Sequence, residues 1–228
     1  MLKFAPFLIA IAYGLLMYHF SAWRTKRMLD AQSRPLVDPA MDRLTARLAQ
    51  ALDLPAIRVD VFEVQAVNGL AAPDGRIFLT RGFLNRKARG EVTDEELASV
   101  VAHELGHVAL GHSRRRMIDF TGQNAVFVAL TALLGRIVPF AGPMLANLIT
   151  SSLMARLSRR DEFEADEWAA ALLIKAGIGT GPQKSLFRKL SALTGGTSRT
   201  TPAWLLSHPE TPRRIAAIEA AEARWTQP

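Results

Sequence analysis

The sequence predicts a mainly α-helical protein with a small β-sheet, an α+β fold, that follows one N-terminal transmembrane helix. Three features indicate this fold. An apolar run opens the chain, apolar residues recur at helical spacing after Asp38 and after Thr93, and residues 57–64 alternate with the period of a strand. At 228 residues the chain is long enough for one substantial domain beside the N-terminal helix.

The first apolar run, residues 4–23, has the ~20 residues that a helix needs to cross the hydrocarbon core of a bilayer. No small-residue cleavage site follows it, so we expect an uncleaved anchor rather than a signal peptide. The basic sequence RTKR follows the run, whereas only Lys3 and the amino terminus precede it. The positive-inside rule therefore predicts a single anchor, residues 1–27, in the cell (inner) membrane, with the rest of the chain in the cytoplasm.

Residues 36–228 are predicted to form the globular domain. Its first helix has Asp38 as the N-cap and proline as the first helical residue. Residues 57–64 and 76–80 are predicted strands, and the Pro-Asp-Gly sequence at 73–75 is typical of a turn before the second one.

A long helix is predicted after the strands. Thr93 and Glu96 have the spacing of a capping box, in which each side chain bonds the other residue's backbone N–H. Three further helices are expected, at residues 158–176, 182–193 and 212–225.

A second apolar region, residues 124–157, interrupts the domain and contains Arg136, Pro139 and Pro143. It is too short for two membrane spans, which need ~40 residues and a turn. We therefore expect two short helices, with a break near the two prolines, that pack over the domain or lie at the membrane interface. A re-entrant hairpin is the alternative.

Composition narrows the partners. The net charge of +7 favours an anionic partner, and the chain has neither a zinc finger nor an aromatic-glycine RNA-binding pattern. The lipid bilayer is thus the expected partner, and nucleic acid is not. Because the chain has no cysteine, it has no thiolate to act as a nucleophile or a metal ligand.

The sequence HELGH, residues 103–107, carries the candidate chemistry. Residues four apart share one face of a helix, so His103 and His107 are placed to bind one ion. Glu104 is rotated by about 100° from His103, so its carboxylate lies near the ion and can accept a proton from bound water. This arrangement is typical of zinc hydrolases. The alternative is a core helix with buried histidines.

A catalytic zinc needs a third protein ligand. The metzincin pattern fails, because Leu110 and Ser113 occupy its glycine and histidine positions. On the helix predicted from residue 158, Glu162 and Asp166 share one face. We take Glu162 as the ligand and Asp166 as the carboxylate that orients a metal-bound histidine. Two other acidic residues there are predicted to be solvated or salt-bridged: Glu164 and Glu167.

Two further histidines have open roles. His112 follows His107 by five residues and is out of phase with the ligands, so we expect it to support or pack against them, with metal binding as the lesser alternative. His208 has two equal interpretations. It either donates to the oxyanion or binds the metal transiently, or it is a loop histidine that caps the next helix.

HELGH and the later EFEAD, residues 162–166, resemble the gluzincin metallopeptidases. Within them, the chain is similar to the membrane-associated family that includes HtpX and the CAAX prenyl proteases, metallopeptidase family forty-eight. The segment NGLAAPDGRIFLTRGFL, residues 68–84, resembles the family's segment before the active-site helix. SHPETPRRIAAI, residues 207–218, resembles its closing His-Pro segment.

The resemblance implies a zincin-like metallopeptidase fold with one Zn²⁺ per chain, bound by His103, His107 and Glu162, and with Glu104 as general base. It also implies an edge strand that pairs with the substrate backbone, although Gly-Leu replaces the commoner Ala-Phe in it. The residues of this strand are Asn68, Gly69, Leu70 and Ala71.

The implied function is that of a membrane-anchored zinc-dependent endopeptidase in protein quality control. It would hydrolyse peptide bonds of unfolded or membrane-associated proteins by Glu-assisted attack of zinc-bound water. A catalytically silent membrane adaptor or holdase that keeps the peptidase fold is the alternative. Peptide deformylase also uses HExxH, but it needs a cysteine ligand, and this chain has none.

Overall fold

The computed structural model describes residues 5–72, 74–112, 126–128, 130–131, 133–138, 141–194, 208 and 212–226. It confirms a mainly helical chain with a small mixed sheet. In chain order the elements are α1 (Ala5–Gln32), β1 (Ser33–Pro35), α2 (Pro39–Ala51), β2 (Val59–Phe62), β3 (Gly69–Ala71), β4 (Ile77–Thr80), α3 (Arg81–Ala88), α4 (Asp94–Ala109), α5 (Gly142–Lys175), α6 (Gly181–Thr194) and α7 (Pro212–Thr226).

Two compact units divide the chain. The first consists of residues 1–27 and 111–161, and the second of residues 28–110 and 162–228. Helices α1 and α5 therefore each contribute residues to both units. The anchor predicted at the N-terminus and the whole apolar region at 124–157 belong to the first unit, whereas the sheet and HELGH belong to the second.

The sheet of the second unit has four strands in the order β1-β2-β4-β3. Strands β2 and β4 are parallel, with Val59 opposite Ile77, and the other two pairs are antiparallel. β3 thus forms one edge of the sheet, and Gly69 lies opposite Leu79 of β4. β1 and the short helix α3 had no clear signal in the sequence.

Strand β4 is buried on both faces because side chains alternate along a strand. Ile77 and Leu79 face the main core, which they share with apolar residues of α2, α4, α5, α6 and α7. Phe78 faces the other side and contacts Leu29 from the end of α1 and Ala72. Burial on both faces holds β4 in place, and the edge strand β3 pairs with it.

The predicted helix caps are confirmed. The Asp38 side chain accepts hydrogen bonds from two backbone N–H groups at the start of α2. Thr93 and Glu96 form the capping box of α4. The Glu96 carboxylate also accepts hydrogen bonds from Ser185 and Lys189 of α6, at 2.6 and 2.8 Å. The start of α4 is therefore fixed by its own cap and by a neighbouring helix.

The helix that carries Glu162 begins earlier than the sequence indicated. The sequence places its start at residue 158, but α5 begins at Gly142 and runs for 34 residues. Pro143 lies in its first turn, where proline is tolerated, and no glycine or proline follows before Lys175. The described residues at 126–128, 130–131 and 133–137 are helical, and residue 138 is not, so a break precedes α5, but the second helix is not short. Pro139 lies outside the described residues, as does Pro73 of the predicted turn.

None of the helices in the described ranges is long and apolar enough to cross a membrane. The N-terminal anchor stays a prediction.

Replacing Thr93 with alanine removes the side-chain acceptor of the α4 cap. We expect the free energy of unfolding to fall by about 1 kcal/mol, the usual value of such a cap, as measured by urea denaturation. Thr93→Ser keeps the hydroxyl and is the matched control. Equal loss in both variants would show that the methyl group, and not the cap, carries the effect.

Candidate metal centre

Helix α4 presents the HELGH residues from its buried second half. His103 and Glu104 are almost fully buried, and His107 is buried as well. The capping box begins the helix ten residues before His103, so the backbone N–H groups of the motif lie beyond the first turn, where they have acceptors within the helix. The prediction that these three residues lie on one helix is confirmed.

Helix α5 packs closely on α4 at one glycine. A Cβ atom at Gly106 would lie 3.0 Å from the backbone oxygen of Ala165. Ala165 lies between Glu162 and Asp166 in the sequence, so this close approach brings both carboxylates against the helix that carries the histidines. The sequence predicted that this helix and these two residues face the histidines, but not the contact that brings them there.

Four side chains converge to form the candidate metal centre: His103, His107, Glu162 and His208. The Nε2 atoms of His103 and His107 are 3.1 Å apart, and they lie 3.4 and 3.6 Å from the nearer Glu162 carboxylate oxygens. Ligands at ~2.0–2.1 Å from a tetrahedral zinc are separated by about 3.3 Å. The three predicted ligands thus fit a zinc ion in both donor type and spacing.

His208 is the fourth member of this cluster. Its Nδ1 lies 2.9 Å from Glu162 Oε2 and 3.4 Å from His103 Nε2, and its Nε2 lies 3.4 Å from Glu104 Oε1. Of the two open interpretations of His208, this placement favours a role in the site over the capping of the next helix.

The Glu104 carboxylate lies beside the cluster and is 2% exposed. Its Oε1 atom receives no hydrogen bond from the described residues. A buried carboxylate oxygen without a donor is costly, so such an atom fits a group whose partner is a water molecule or a substrate. Glu104 therefore lies next to the predicted metal ligands rather than among them.

A buried ion pair lies beside His103, the first predicted ligand. Asp166 Oδ1 lies 2.9 Å from His103 Nδ1, on the side of the ring away from the cluster. The Arg214 guanidinium donates to both Asp166 oxygens, at 2.6 and 2.7 Å, and to the backbone oxygen of His208 at 3.3 Å. It also lies 4.5 Å from the centre of the Phe187 ring. Asp166 thus lies against His103, and its role in orienting a metal-bound histidine stays a prediction.

Sequence reasoning missed Arg214, which is 1% exposed. The signal that was available is the charge of Asp166, because a buried carboxylate needs a cationic partner. The arginines that follow His208 in the sequence were the candidates, but nothing local distinguishes Arg214 from its exposed neighbour Arg213.

These contacts set the protonation of the site. Burial disfavours the charged form of His103, but hydrogen bonds to Asp166 and Glu162 outweigh it and raise the pKa of His103 to about 9. Burial also opposes ionisation of Glu162 and Asp166. His103 and His208 nevertheless hold the pKa of Glu162 well below its usual range, and Arg214 lowers that of Asp166. A metal ion bound at His103 would have to displace this proton.

Other predicted residues lie outside the four-residue cluster. His112 belongs to the first unit, where its Nε2 is 3.9 Å from Asp161 Oδ1, so its predicted support of the ligands stays a prediction. Glu167 forms an exposed ion pair with Arg224 at 2.8 Å. Asn68 directly precedes β3, and the backbone N–H of Asn68 donates to Thr80 Oγ1 at 2.9 Å. Gly69, Leu70 and Ala71 form β3 itself.

This chain matches known metalloproteases in sequence. Residues 35–222 match the sequence profile of Peptidase family M48. Metalloprotease LoiP of Escherichia coli is 28% identical over 203 residues, which cover 80% of this chain and 79% of LoiP. Metalloprotease YcaL of the same organism is 31% identical over 177 residues, which cover 76% of this chain and 66% of YcaL.

Among solved structures, the crystal structure of S. mikatae Ste24p matches with a TM-score of 0.59 and 19% identity. The match covers 90% of this chain but 56% of Ste24p. At this identity the likeness shows the fold alone. The chain therefore shares its fold with a larger protein and spans about half of it.

Replacing Asp166 with asparagine removes the negative charge beside His103 and breaks the ion pair between Asp166 and Arg214. We expect zinc affinity to fall by ~10–100-fold, the usual effect of losing the carboxylate behind a metal-bound histidine. Competition with a chromogenic chelator measures it.

Glu167→Gln is the matched control for this variant, because Glu167 follows Asp166 on the same helix but forms an exposed ion pair. Its zinc affinity should equal that of the wild type. An Asp166→Asn protein with wild-type zinc affinity would contradict the orienting role.

Proposed function

The chain belongs to Peptidase family M48, as the resemblance in its sequence indicated, and on that premise we propose that it is a membrane-anchored zinc endopeptidase. One observation carries the proposal. Three zinc-type donors, from His103, His107 and Glu162, converge beside the buried carboxylate of Glu104, whose Oε1 has no hydrogen bond from the described residues. A silent adaptor would have no use for such a carboxylate.

A zinc ion held by His103, His107 and Glu162 would supply Lewis acidity and lower the pKa of a water molecule to ~7. Glu104 then takes a proton from the attacking water as the oxygen forms its bond to the peptide carbonyl carbon. Glu104 returns that proton to the amine nitrogen as the C–N bond breaks. The products are a carboxylic acid and an amine, and the atoms of one water molecule balance the reaction.

His208 has a role at the developing negative charge in this proposal. Its Nε2 lies 3.4 Å from Glu104 Oε1, so the ring borders the same space as the base. An N–H at this place stabilises the oxyanion that forms at the carbonyl oxygen. A catalytic zinc keeps one position open. The His208 ring must therefore donate to the substrate rather than complete the ligand set during the reaction.

The proposed substrate is an extended polypeptide. β3 is an edge strand of the sheet, and an edge strand pairs with an extended chain through its free backbone groups. Thr80 holds the start of β3 in place, since its backbone N–H and its hydroxyl both bond to the Asn68 carbonyl, at 3.0 and 2.9 Å. Unfolded proteins and unstructured membrane-proximal segments supply the extended conformation that such pairing requires.

Membrane attachment is proposed from the first unit. Large apolar side chains there are about half or more exposed, and exposed apolar surface of this extent is typical of membrane or protein contact. Arg27 lies over the exposed ring of Trp23, at 5.0 Å, an arrangement suited to the interface of a bilayer. We propose a lipid bilayer as the partner, with a single N-terminal anchor in the inner membrane and the catalytic domain in the cytoplasm. The side chains concerned are Leu15, Leu16, Phe20 and Trp23 in α1, and Met144, Leu148 and Ile149 in α5.

Glu104→Gln tests the proposed function. Glutamine keeps the size of the side chain but does not accept the proton, so cleavage of unfolded casein by detergent-purified, zinc-loaded protein should fall by at least ~10²-fold. Zinc affinity should stay at the wild-type value, because Glu104 is not a ligand.

Glu95→Gln is its matched control, since Glu95 lies on the same helix and is exposed. This variant should cleave casein at the wild-type rate. Wild type and Glu104→Gln with equal rates, or both inactive, would count against the peptidase and bring the adaptor forward.

His208→Ala tests the oxyanion role. Loss of one such donor costs ~10²–10³-fold in kcat, so we expect a fall of that order with zinc affinity changed little. The exposed neighbour Arg213, replaced by glutamine, is the control. A faster His208→Ala enzyme would show instead that the histidine blocks the open metal position.

A further inference from the structure

Gly69 on β3 touches helix α4 at the residue one turn before the base. A Cβ atom built on Gly69 would lie 2.5 Å from Val100 Cγ1, which no packed carbon pair tolerates. It would also lie 3.6 and 3.7 Å from Oε1 and Cγ of Glu104, at ordinary contact distance. The backbone of the edge strand therefore runs directly beside the catalytic carboxylate, and the missing side chain at position 69 allows it.

Each partner in this contact is held by its own element. Gly69 pairs with Leu79 in the sheet, and Thr80 bonds to the residue before it. Val100 is buried in the main core on a helix whose start is fixed by Glu96. The separation between the strand and the helix is thus set by the side-chain volumes at positions 69 and 100.

We propose that Gly69 and Val100 form a steric pair that positions the substrate relative to Glu104. This inference rests on the proposed function, because it takes β3 as the strand with which the polypeptide pairs. The substrate strand lies at a fixed hydrogen-bonded spacing from β3, so a shift of β3 moves the scissile bond by the same amount. The pair acts as a positioning device and does not touch the reacting atoms.

The size of the shift follows from carbon contact distances. Two carbon atoms pack at about 3.5–4.0 Å, so a methyl group at position 69 displaces β3 by roughly 1 Å. A misplacement of this size costs up to ~10²-fold in rate without abolishing binding. Gly69→Ala should therefore lower kcat by ~10–10²-fold and change KM far less.

The experiment measures the effect of Gly69→Ala in three backgrounds: the wild-type chain, Val100→Ala and Val101→Ala. With Val100 present, the variant loses kcat as above. With Val100→Ala present, the clashing methyl group is gone, and Gly69→Ala should lower kcat by less than about threefold relative to that background. Val101→Ala is the matched control. It removes the same two methyl groups from the neighbouring buried residue of α4, so it should give no rescue.

The thermal unfolding midpoint of each variant, measured without added zinc, gives a second readout. Gly69→Ala should lower this midpoint with Val100 or with Val101→Ala present, but not with Val100→Ala present. If Gly69→Ala does not fold, a folded and active Gly69→Ala/Val100→Ala protein is the expected result. Failure of that double variant to fold overturns the steric pair.

Failure of this inference and failure of the proposed function are distinguishable. If wild type and Glu104→Gln cleave casein alike, the proposed function fails and the positioning role fails with it. If wild type depends on Glu104 while Gly69→Ala keeps the wild-type kcat, or loses it equally in all three backgrounds, only the steric pair is overturned.

Discussion

The close packing of α4 on α5 at Gly106 is the contact on which the site depends. The histidines lie on one helix and Glu162 on the other, so the donor atoms meet only if the helices approach. A side chain at position 106 would press on the backbone of Ala165, at 3.0–3.2 Å, and separate them. Metal–ligand distances are defined to within ~0.2 Å, so a zinc site has little tolerance for such a separation. The glycine of HELGH is therefore as much a part of the candidate centre as its ligands.

Arg214 compensates part of the negative charge that this packing buries. Three carboxylates, those of Glu104, Glu162 and Asp166, are buried, and each lies within 3.4 Å of a ring nitrogen of His103 or His208. The guanidinium remains charged at all ordinary pH values and matches the Asp166 carboxylate with two hydrogen bonds. Its third contact, to the backbone oxygen of His208, joins the segment that carries this histidine to α5. Loss of such a partner leaves a buried charge uncompensated, which destabilises far more than an exposed pair would.

Local periodicity explains which parts of the fold and the site the sequence could predict. The placement of HELGH on a capped helix, and of Glu162 and Asp166 on one face of another, follows from spacing within a few residues. Contacts between distant segments leave no such local pattern. Arg214 is set apart from Arg213 only by the helix face that packs inwards, and the start of α5 depends on a proline that a helix accepts in its first turn. The three-residue strand β1 forms only because β2 supplies its partner.

Helix α4 carries two functional faces that are offset by one residue. His103 and His107 face the cluster with Glu162, and Val100 and Glu104 face β3. The members of each pair are four residues apart and so share one face of α4. The two faces differ by about 100°, the rotation between neighbouring residues of a helix. Glu104, the proposed base, thus lies between the predicted metal ligands and the strand proposed to hold the substrate. Leu105, one residue further along α4, faces the apolar core instead. Because His103 and Glu104 are adjacent in HELGH, one helix places His103 against Glu162 of α5 and Glu104 against β3.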